Sequence, residues 1–148
     1  MTLKKSTKRF RISTETKNDK KFRVKTAGVD ISDYPNNPLL LWLHKMPKGE
    51  NVNEVLPLGN GVEVVKENGE IFGYPAFNLK YDFSQTIYDM VESNTIRMAS
   101  AGLLPIKWGK DENGDLWLLE SKLVEWSLCP VGSNPDAYAI QLYNEHND

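Results

Sequence analysis

Alternation of apolar and polar positions predicts a chain built largely of β-strands. Residues 39–43 form an apolar run typical of a strand buried on both faces. Residues 61–66 alternate, and the Asn-Gly pair after them is a strong hairpin signal, so we expect residues 71–77 to return as the partner strand. Pro75 predicts that this partner is an edge or bulged strand.

The second half of the chain continues in strands. Residues 95–108 predict one long, bent strand, and residues 112–115 predict a second hairpin turn. Residues 116–119 and 122–129 are expected to return as two strands. In the last of these, Glu125 shares one face with Ser127.

One helix is predicted. Asp82 is expected to cap it, with Gln85 three residues on as in a capping box, and Ser93-Asn94 is expected to end it. An apolar stripe along the helix is expected to contact the core; its members are Phe83, Ile87, Met90 and Val91. The sum is one domain over residues 1–148 of the α+β class: β-rich, with hairpins and at least one helix, folded as a barrel or a curled sheet.

Charge is distributed unevenly along the 148 residues. The net charge is -2, but residues 1–25 carry ten Lys/Arg against two acidic residues, so this basic arm is +8 and the remainder is -10. Such an arm is compatible with nucleic-acid contact, an acidic protein partner, or a solvated or edge-strand segment. We favour the last, because charge runs usually form a solvated surface and because apolar positions alternate in part of the arm. A short polar tail begins at about residue 141.

Composition excludes several classes of function. One cysteine and two histidines, His44 and His146, exclude a disulfide framework and argue against a zinc site of the usual kind. The longest apolar run falls far short of the roughly 18 to 20 residues of a membrane span, and no secretory signal stands in the first 30 residues. No phosphate-loop, zinc-finger or RNA-recognition motif is present. We therefore expect no metal, no cofactor, no membrane and no nucleic acid.

His44 is the histidine best placed to act as a base. A serine hydroxyl is a weak nucleophile until a neighbouring base takes its proton, and histidine is the usual base. His44 follows the apolar run and precedes a Gly/Pro loop, where a side chain can be fixed yet reachable. A lone histidine at a strand end can equally be structural or incidental.

Ser100 is the serine of most interest, because its neighbours are small. Ala99, Ala101 and Gly102 leave room for a substrate carbonyl and for backbone N–H groups turned toward a developing oxyanion. The alternative is that small residues mark a tight strand crossing or a barrel bend.

Glu125 is an acid on a strand that is expected to be central. A buried carboxylate needs a partner, which can be an imidazole or a Lys/Arg in a salt bridge, unless its strand lies at an edge. Cys129, which has no flanking base, is expected to be a buried structural thiol.

Three motifs, in order along the chain, resemble those of tailed-phage prohead (capsid maturation) serine proteases. Residues 37–44 are similar to the strand that carries the family's histidine, and residues 97–103 to the segment with its Ser-x-Gly-Phe nucleophile motif. Residues 123–137 are similar to its most recognisable signature, Leu-x-Glu-x-Ser-Leu-x-Pro followed by Asn-Pro-x-Ala.

The resemblance implies roles for named residues. Ser100 matches the nucleophile, His44 the general base, and Glu125 the acid that orients the histidine. The family is distantly related to herpesvirus assemblins, which implies an assemblin-like fold: a closed or curled β-barrel with a few surrounding helices. The resemblance also implies that the basic stretch from about Lys8 belongs to the folded domain as an early strand. Leu103 departs from the family's Phe, and no Arg follows Arg97 to help hold the oxyanion, so backbone N–H groups near Ala101 and Gly102 are expected to do so.

The resemblance also implies partners. We expect an endopeptidase that cuts the scaffold portion of the major capsid protein, and itself, inside the immature capsid in the host cytoplasm; a homo-oligomer is left open. The chain ends soon after the last motif, so the scaffold is expected to be separate or fused to the capsid protein. Two alternatives remain: an inactive relative acting as an assembly or scaffolding factor, and a small barrel that binds nucleic acid through its basic arm.

Overall fold

The computed structural model describes residues 2–130 and 140–144. This part of the chain holds one α-helix, α1 (Asp82–Glu92), and two single-turn 3₁₀ helices, Thr26–Gly28 and Tyr34–Asn36. Its strands are β1 (Lys4–Lys5), β2 (Phe10–Ser13), β3 (Arg23–Val24), β4 (Val29–Asp30), β5 (Leu39–Trp42), β6 (Gly59–Glu67), β7 (Glu70–Phe77), β8 (Met98–Lys110), β9 (Leu116–Cys129) and β10 (Gln141–Leu142). The β-rich α+β class is thereby confirmed.

All ten strands belong to one mixed sheet. Its main path runs β1-β7-β6-β5-β9-β8-β10, with β2 also on β7 and the short strands β3 and β4 on β9. The pairs β5–β9 and β8–β10 are parallel, whereas β5–β6, β6–β7 and β8–β9 are antiparallel. The path has two ends that do not pair with each other in the described part of the chain, so the expectation of a closed barrel is wrong. In place of the few helices predicted, the described residues hold one α-helix and two single-turn 3₁₀ helices.

The first predicted hairpin is present as β6 and β7. Asn68 and Gly69 both have positive φ, 51° and 76°, as a two-residue turn of the I′ type requires. Of the two alternatives for the partner strand, the edge is wrong, because β1 and β2 pair with the other side of β7. The bulge has support, since the register of β6 against β7 shifts between Val62 and Val65. The Pro75 carbonyl faces the connection between β1 and β2, where it accepts from Ser6 N–H at 2.8 Å. In an antiparallel strand the N–H and C=O of one residue point to the same side, so the missing N–H of Pro75 also faces this connection and the β6–β7 ladder loses no hydrogen bond.

The basic N-terminal segment is part of the sheet from Lys4 onward, earlier than the expected start near Lys8. The apolar positions of β2 and β3 are buried, while five basic side chains of the segment form ion pairs with acidic side chains of the body. These pairs are Lys5–Glu63, Arg9–Glu67, Arg11–Glu70, Lys17–Asp115 and Arg23–Asp115. Exposed ion pairs contribute at most about 1 kcal/mol each. Strands β1, β2 and β3 of the basic arm are therefore part of the sheet, each paired with one neighbour among the described residues.

Helix α1 lies where the periodicity predicts, but its start differs. Tyr81, not Asp82, stands at the N-cap, and no side chain caps the helix, so the capping box is wrong. Asp82 lies in the first turn, where a negative charge is favourable beside the helix dipole. The fully buried Ser84, whose hydroxyl donates to the Leu58 carbonyl at 2.7 Å, faces the core, whereas Met90 is exposed.

The β8–β9 hairpin is the longest element and the centre of the core. β9 is one continuous strand rather than the two expected, and bulges along the β8–β9 ladder bend both strands. Trp126 and Leu128 are fully buried on one side of β9, and Glu125 and Ser127 are fully buried on the other. Within residues 2–130 and 140–144, no helix is long and apolar enough to cross a membrane.

Candidate active site

His44 lies in a tight turn directly after β5. Lys45 N–H donates to the Trp42 carbonyl at 3.0 Å, which closes the turn. Its two central residues, Leu43 and His44, have φ of 54° and 57°, a left-handed conformation that costs a non-glycine residue about 1–2 kcal/mol. Strain of this kind persists only where surrounding contacts hold it. Here Leu43 N–H donates to the Leu128 carbonyl of β9.

The register of β8 against β9 brings Ser100 to the same place. Ser100 pairs with Ser127 and Gly102 with Glu125 in the antiparallel ladder. Paired residues project to one face of a sheet, so the Ser100 hydroxyl and the Glu125 carboxylate share a face. On its other side β9 pairs in parallel with β5, which ends just before His44. Three strands thus meet at one point.

Ser100, His44 and Glu125 form a hydrogen-bonded chain. The distance from His44 Nε2 to Ser100 Oγ is 3.0 Å, and that from His44 Nδ1 to Glu125 Oε2 is 2.7 Å. A carboxylate accepts but does not donate, so Nδ1 carries the proton and Nε2 is left to accept from the Ser100 hydroxyl. Ser100 and Glu125 are 0% exposed and the His44 side chain 10%. The three residues selected from the sequence are therefore brought together in the order a serine hydrolase requires.

Two further hydroxyl groups bind Glu125. Ser127 Oγ donates to Oε1 at 2.9 Å, and Tyr143 Oη donates to Oε2, the oxygen that faces His44, also at 2.9 Å. With the imidazole, the buried carboxylate has three donors, which offsets the cost of burying its charge. Burial, and next the nearby charge of Glu125, raise the pKa of Tyr143 above the ordinary range, so this phenol remains a donor.

Gly102 has a steric role at the site. A Cβ on Gly102 would lie 2.0 Å from Glu125 Oε2 and 2.7 Å from the Tyr143 ring, far inside any real contact. Only glycine leaves room for the carboxylate at this point of β8. Within the small-residue run, Gly102 therefore marks the close approach of the Glu125 side chain, which neither interpretation of the run predicted.

The expected oxyanion donors lie within the sheet. Ala101 and Gly102 pair with β9, and Gly102 also pairs with Gln141 of β10. The role of their N–H groups toward an oxyanion stays a prediction. Arg97 is exposed and lines a separate groove with Lys8 and Asn94.

Cys129 is a buried thiol, as expected. Burial, and then the charge of Glu125, raise its pKa to about 12, so it is unreactive at neutral pH. No cluster of three or more metal-ligating side chains occurs in the described ranges. His146 and the Asn-Pro-x-Ala part of the signature, residues 134–137, lie outside the described residues.

Sequence reasoning missed Ser127 and Tyr143. Ser127 has a signal, because it is two residues from Glu125 on the same strand face. Tyr143 has none, since only its approach to β8, where its N–H donates to the Leu103 carbonyl at 2.8 Å, brings it to the site.

Comparison of this chain with protein-family models, with curated proteins and with solved structures finds no match. The functional argument therefore depends on the site itself.

Proposed function

We propose that this protein is a serine endopeptidase of the tailed-phage prohead protease kind. The observation that carries the proposal is the chain from Ser100 through His44 to Glu125, with both links at hydrogen-bond distance. Three residues separated by 25 or more positions meet in one functional order, and the family resemblance names the same three. The open mixed sheet, with one α-helix among the described residues, is proposed to be a variant of the assemblin-like fold.

The reaction uses these groups in sequence. Ser100 Oγ attacks the carbonyl carbon of the scissile peptide while its proton passes to His44 Nε2. The imidazolium then gives that proton to the leaving amine, and a water hydrolyses the acyl-enzyme by the same path. Glu125 holds Nδ1–H and stabilises the imidazolium through its charge. Backbone N–H groups near Ala101 and Gly102 are the proposed oxyanion donors.

The substrate proposed is the scaffold portion of the major capsid protein, and the protease chain itself, inside the immature capsid in the host cytoplasm. A largely apolar groove that offers room for peptide side chains shares Tyr143 with the site; its lining residues are Leu104, Pro105, Ile106, Tyr143 and Asn144. Ser100 is fully buried, so a peptide reaches it only after covering groups move.

One observation favours a second candidate, an inactive relative that acts as an assembly or scaffolding factor. It is the same complete burial of Ser100, since a protein without catalysis needs no access to that hydroxyl. The two candidates differ in whether Ser100 reacts.

Covalent labelling tests the proposal. A fluorophosphonate probe should modify the wild-type chain at Ser100, as intact-mass and peptide analysis would detect, and Ser100→Ala should remove all labelling while keeping the thermal transition. Ser121→Ala is the matched control, because Ser121 is equally buried in β9 and its hydroxyl has no hydrogen-bond partner among the described residues. It should label as wild type does.

The result has a biological counterpart. Co-expressed with its capsid and scaffold proteins, the wild type should generate truncated products, and Ser100→Ala none. An unlabelled wild type with intact capsid proteins would overturn the proposal in favour of the assembly factor.

A further inference from the structure

We propose that Ser127 is a positioning residue that ties the Glu125 carboxylate to the main chain of His44. Its hydroxyl donates to Glu125 Oε1 at 2.9 Å and accepts from His44 N–H at 2.9 Å. One oxygen atom thus joins the acid of the site to the backbone that carries the base. The inference rests on the proposed peptidase function and assigns that site a fourth member.

The bridge acts where the backbone is strained. Leu43 and His44 both have positive φ, in a turn without the glycine or asparagine that such turns favour. The left-handed conformation of His44 needs contacts that hold it, and one of them is the N–H bond to Ser127. Without this hydrogen bond, the turn loses one of the contacts that hold it, and we expect it to relax and to carry the imidazole away from Ser100.

The directions of the two bonds are fixed by chemistry. A carboxylate can only accept and a backbone N–H can only donate, so a group between them must do both, and a hydroxyl does. Ser127 and Glu125 are both fully buried, so bulk water does not reach the bond between them to replace the hydroxyl. Alanine here leaves a backbone donor and a carboxylate oxygen each short of a partner.

The placement of Ser127 in the ladder explains how it reaches both groups. It pairs with Ser100 across β8 and with Leu41 across β5, so it lies between the strand of the nucleophile and the strand that leads to the base. Ser127 does not touch the reacting atoms in this arrangement; it acts through His44 and Glu125. Loss of its hydroxyl should therefore slow the chemical step and leave probe binding unchanged.

Inactivation kinetics with the fluorophosphonate probe separate these effects. We expect Ser127→Ala to lower the maximal inactivation rate on the order of 100-fold with little change in the half-saturating probe concentration. Ser127→Cys is a second variant, which keeps the test available if the alanine variant does not fold. It puts a poor hydrogen-bond donor in nearly the same space and should show a similar loss of rate. Ser121→Ala, with a buried but unpartnered hydroxyl on the same strand, should react at the wild-type rate.

A spectroscopic readout distinguishes positioning from a general loss of stability. The proton on His44 Nδ1, bonded to Glu125 at 2.7 Å, should give a low-field NMR signal in the wild type. That signal should shift or broaden in the Ser127 variants and remain in Ser121→Ala. Unchanged kinetics and an unchanged signal in folded Ser127→Ala or Ser127→Cys would overturn the inference while leaving the peptidase proposal intact. A wild type that never labels would remove the peptidase proposal and this inference with it.

Hydrogen exchange checks the bridge in the unmodified protein. The His44 amide should exchange as slowly as amides inside β9, although it lies in a turn, because its N–H is bonded to a buried hydroxyl. The amide of Val52, which is 99% exposed, gives the fast reference. Exchange of His44 as fast as that of Val52 would contradict the bridge.

Discussion

The two ends of the β8–β9 hairpin each hold a carboxylate that collects hydrogen bonds, and the two differ in almost every other respect. At the turn, Asp111 accepts from Asn113 N–H at 2.9 Å, Asp115 N–H at 3.0 Å and Trp117 Nε1–H at 2.9 Å. At the open end, Glu125 accepts from His44, Ser127 and Tyr143. Each acid therefore has three donors.

The donors of Asp111 are close to it in the sequence, and the turn around it is exposed to solvent. All three lie within six residues of it, and the Trp117 bond is the largest cause that lowers its pKa. It organises its own turn, as aspartate does in many exposed turns. None of the three donors of Asp111 is a side chain that could serve as a base, so this carboxylate has no imidazole to orient.

Two of the three donors of Glu125 come from distant parts of the chain, and all three meet it in the core. His44 is 81 residues away and Tyr143 is 18. In a buried setting a charge interacts more strongly with its neighbours than in water, so it can stabilise an imidazolium. The same number of hydrogen bonds thus makes a turn at one end and a candidate catalytic acid at the other.

The largest expected difference between the two ends is in reactivity. Glu125→Gln should lower the rate of probe labelling, or of scaffold cleavage, by about 10⁴-fold, because an amide no longer fixes the imidazole tautomer or stabilises its charge. Asp111→Asn, the same change at the other end, should leave the rate unchanged. Equal rates for the two variants would show that burial and partners do not distinguish the two acids.

A second comparison uses the two glycines of β8, Gly102 and Gly109. Gly102→Ala places a Cβ against the Glu125 carboxylate and should lower the free energy of unfolding by about 1–3 kcal/mol, because a buried charged group must move. Gly109→Ala meets only the end of the Leu119 side chain, which can turn away, so it should cost less. Urea unfolding of both variants measures the difference. A larger loss in Gly109→Ala would contradict the steric role of Gly102.

The smallest expected effect is the pH dependence of the turn. The pKa of Asp111 is lowered below its ordinary value of 3.8, so its contribution to stability is present above about pH 4 and is lost as the pH falls through the lowered pKa. Thermal melting of wild type and Asp111→Asn from pH 7 to 3 should show a small gap that closes at the acid end. A gap that widens there would mean that the pKa is raised.

The sequence predicted most of the local structure because local patterns determine it. The β6–β7 hairpin followed from its Asn-Gly pair, and helix α1 from its apolar period. The predicted cap of α1 is wrong because Asp82 suits the first turn of a helix as well as the N-cap position. Which of the two it occupies depends on the backbone conformation of Tyr81. The edge alternative predicted from Pro75 is wrong because β1 and β2, from the far N-terminus, pair with the outer side of β7.

For the candidate site, the sequence alone determined which side chains were available. Few histidines, a serine among small residues and an acid between apolar residues selected His44, Ser100 and Glu125. Only the tertiary structure decided that they meet, because their contact depends on the β8–β9 register and on the parallel pairing of β5 with β9. It also supplied Ser127 and Tyr143 and assigned Gly102 its steric role. Pairing between distant strands decides such contacts, and no short stretch of sequence contains that information.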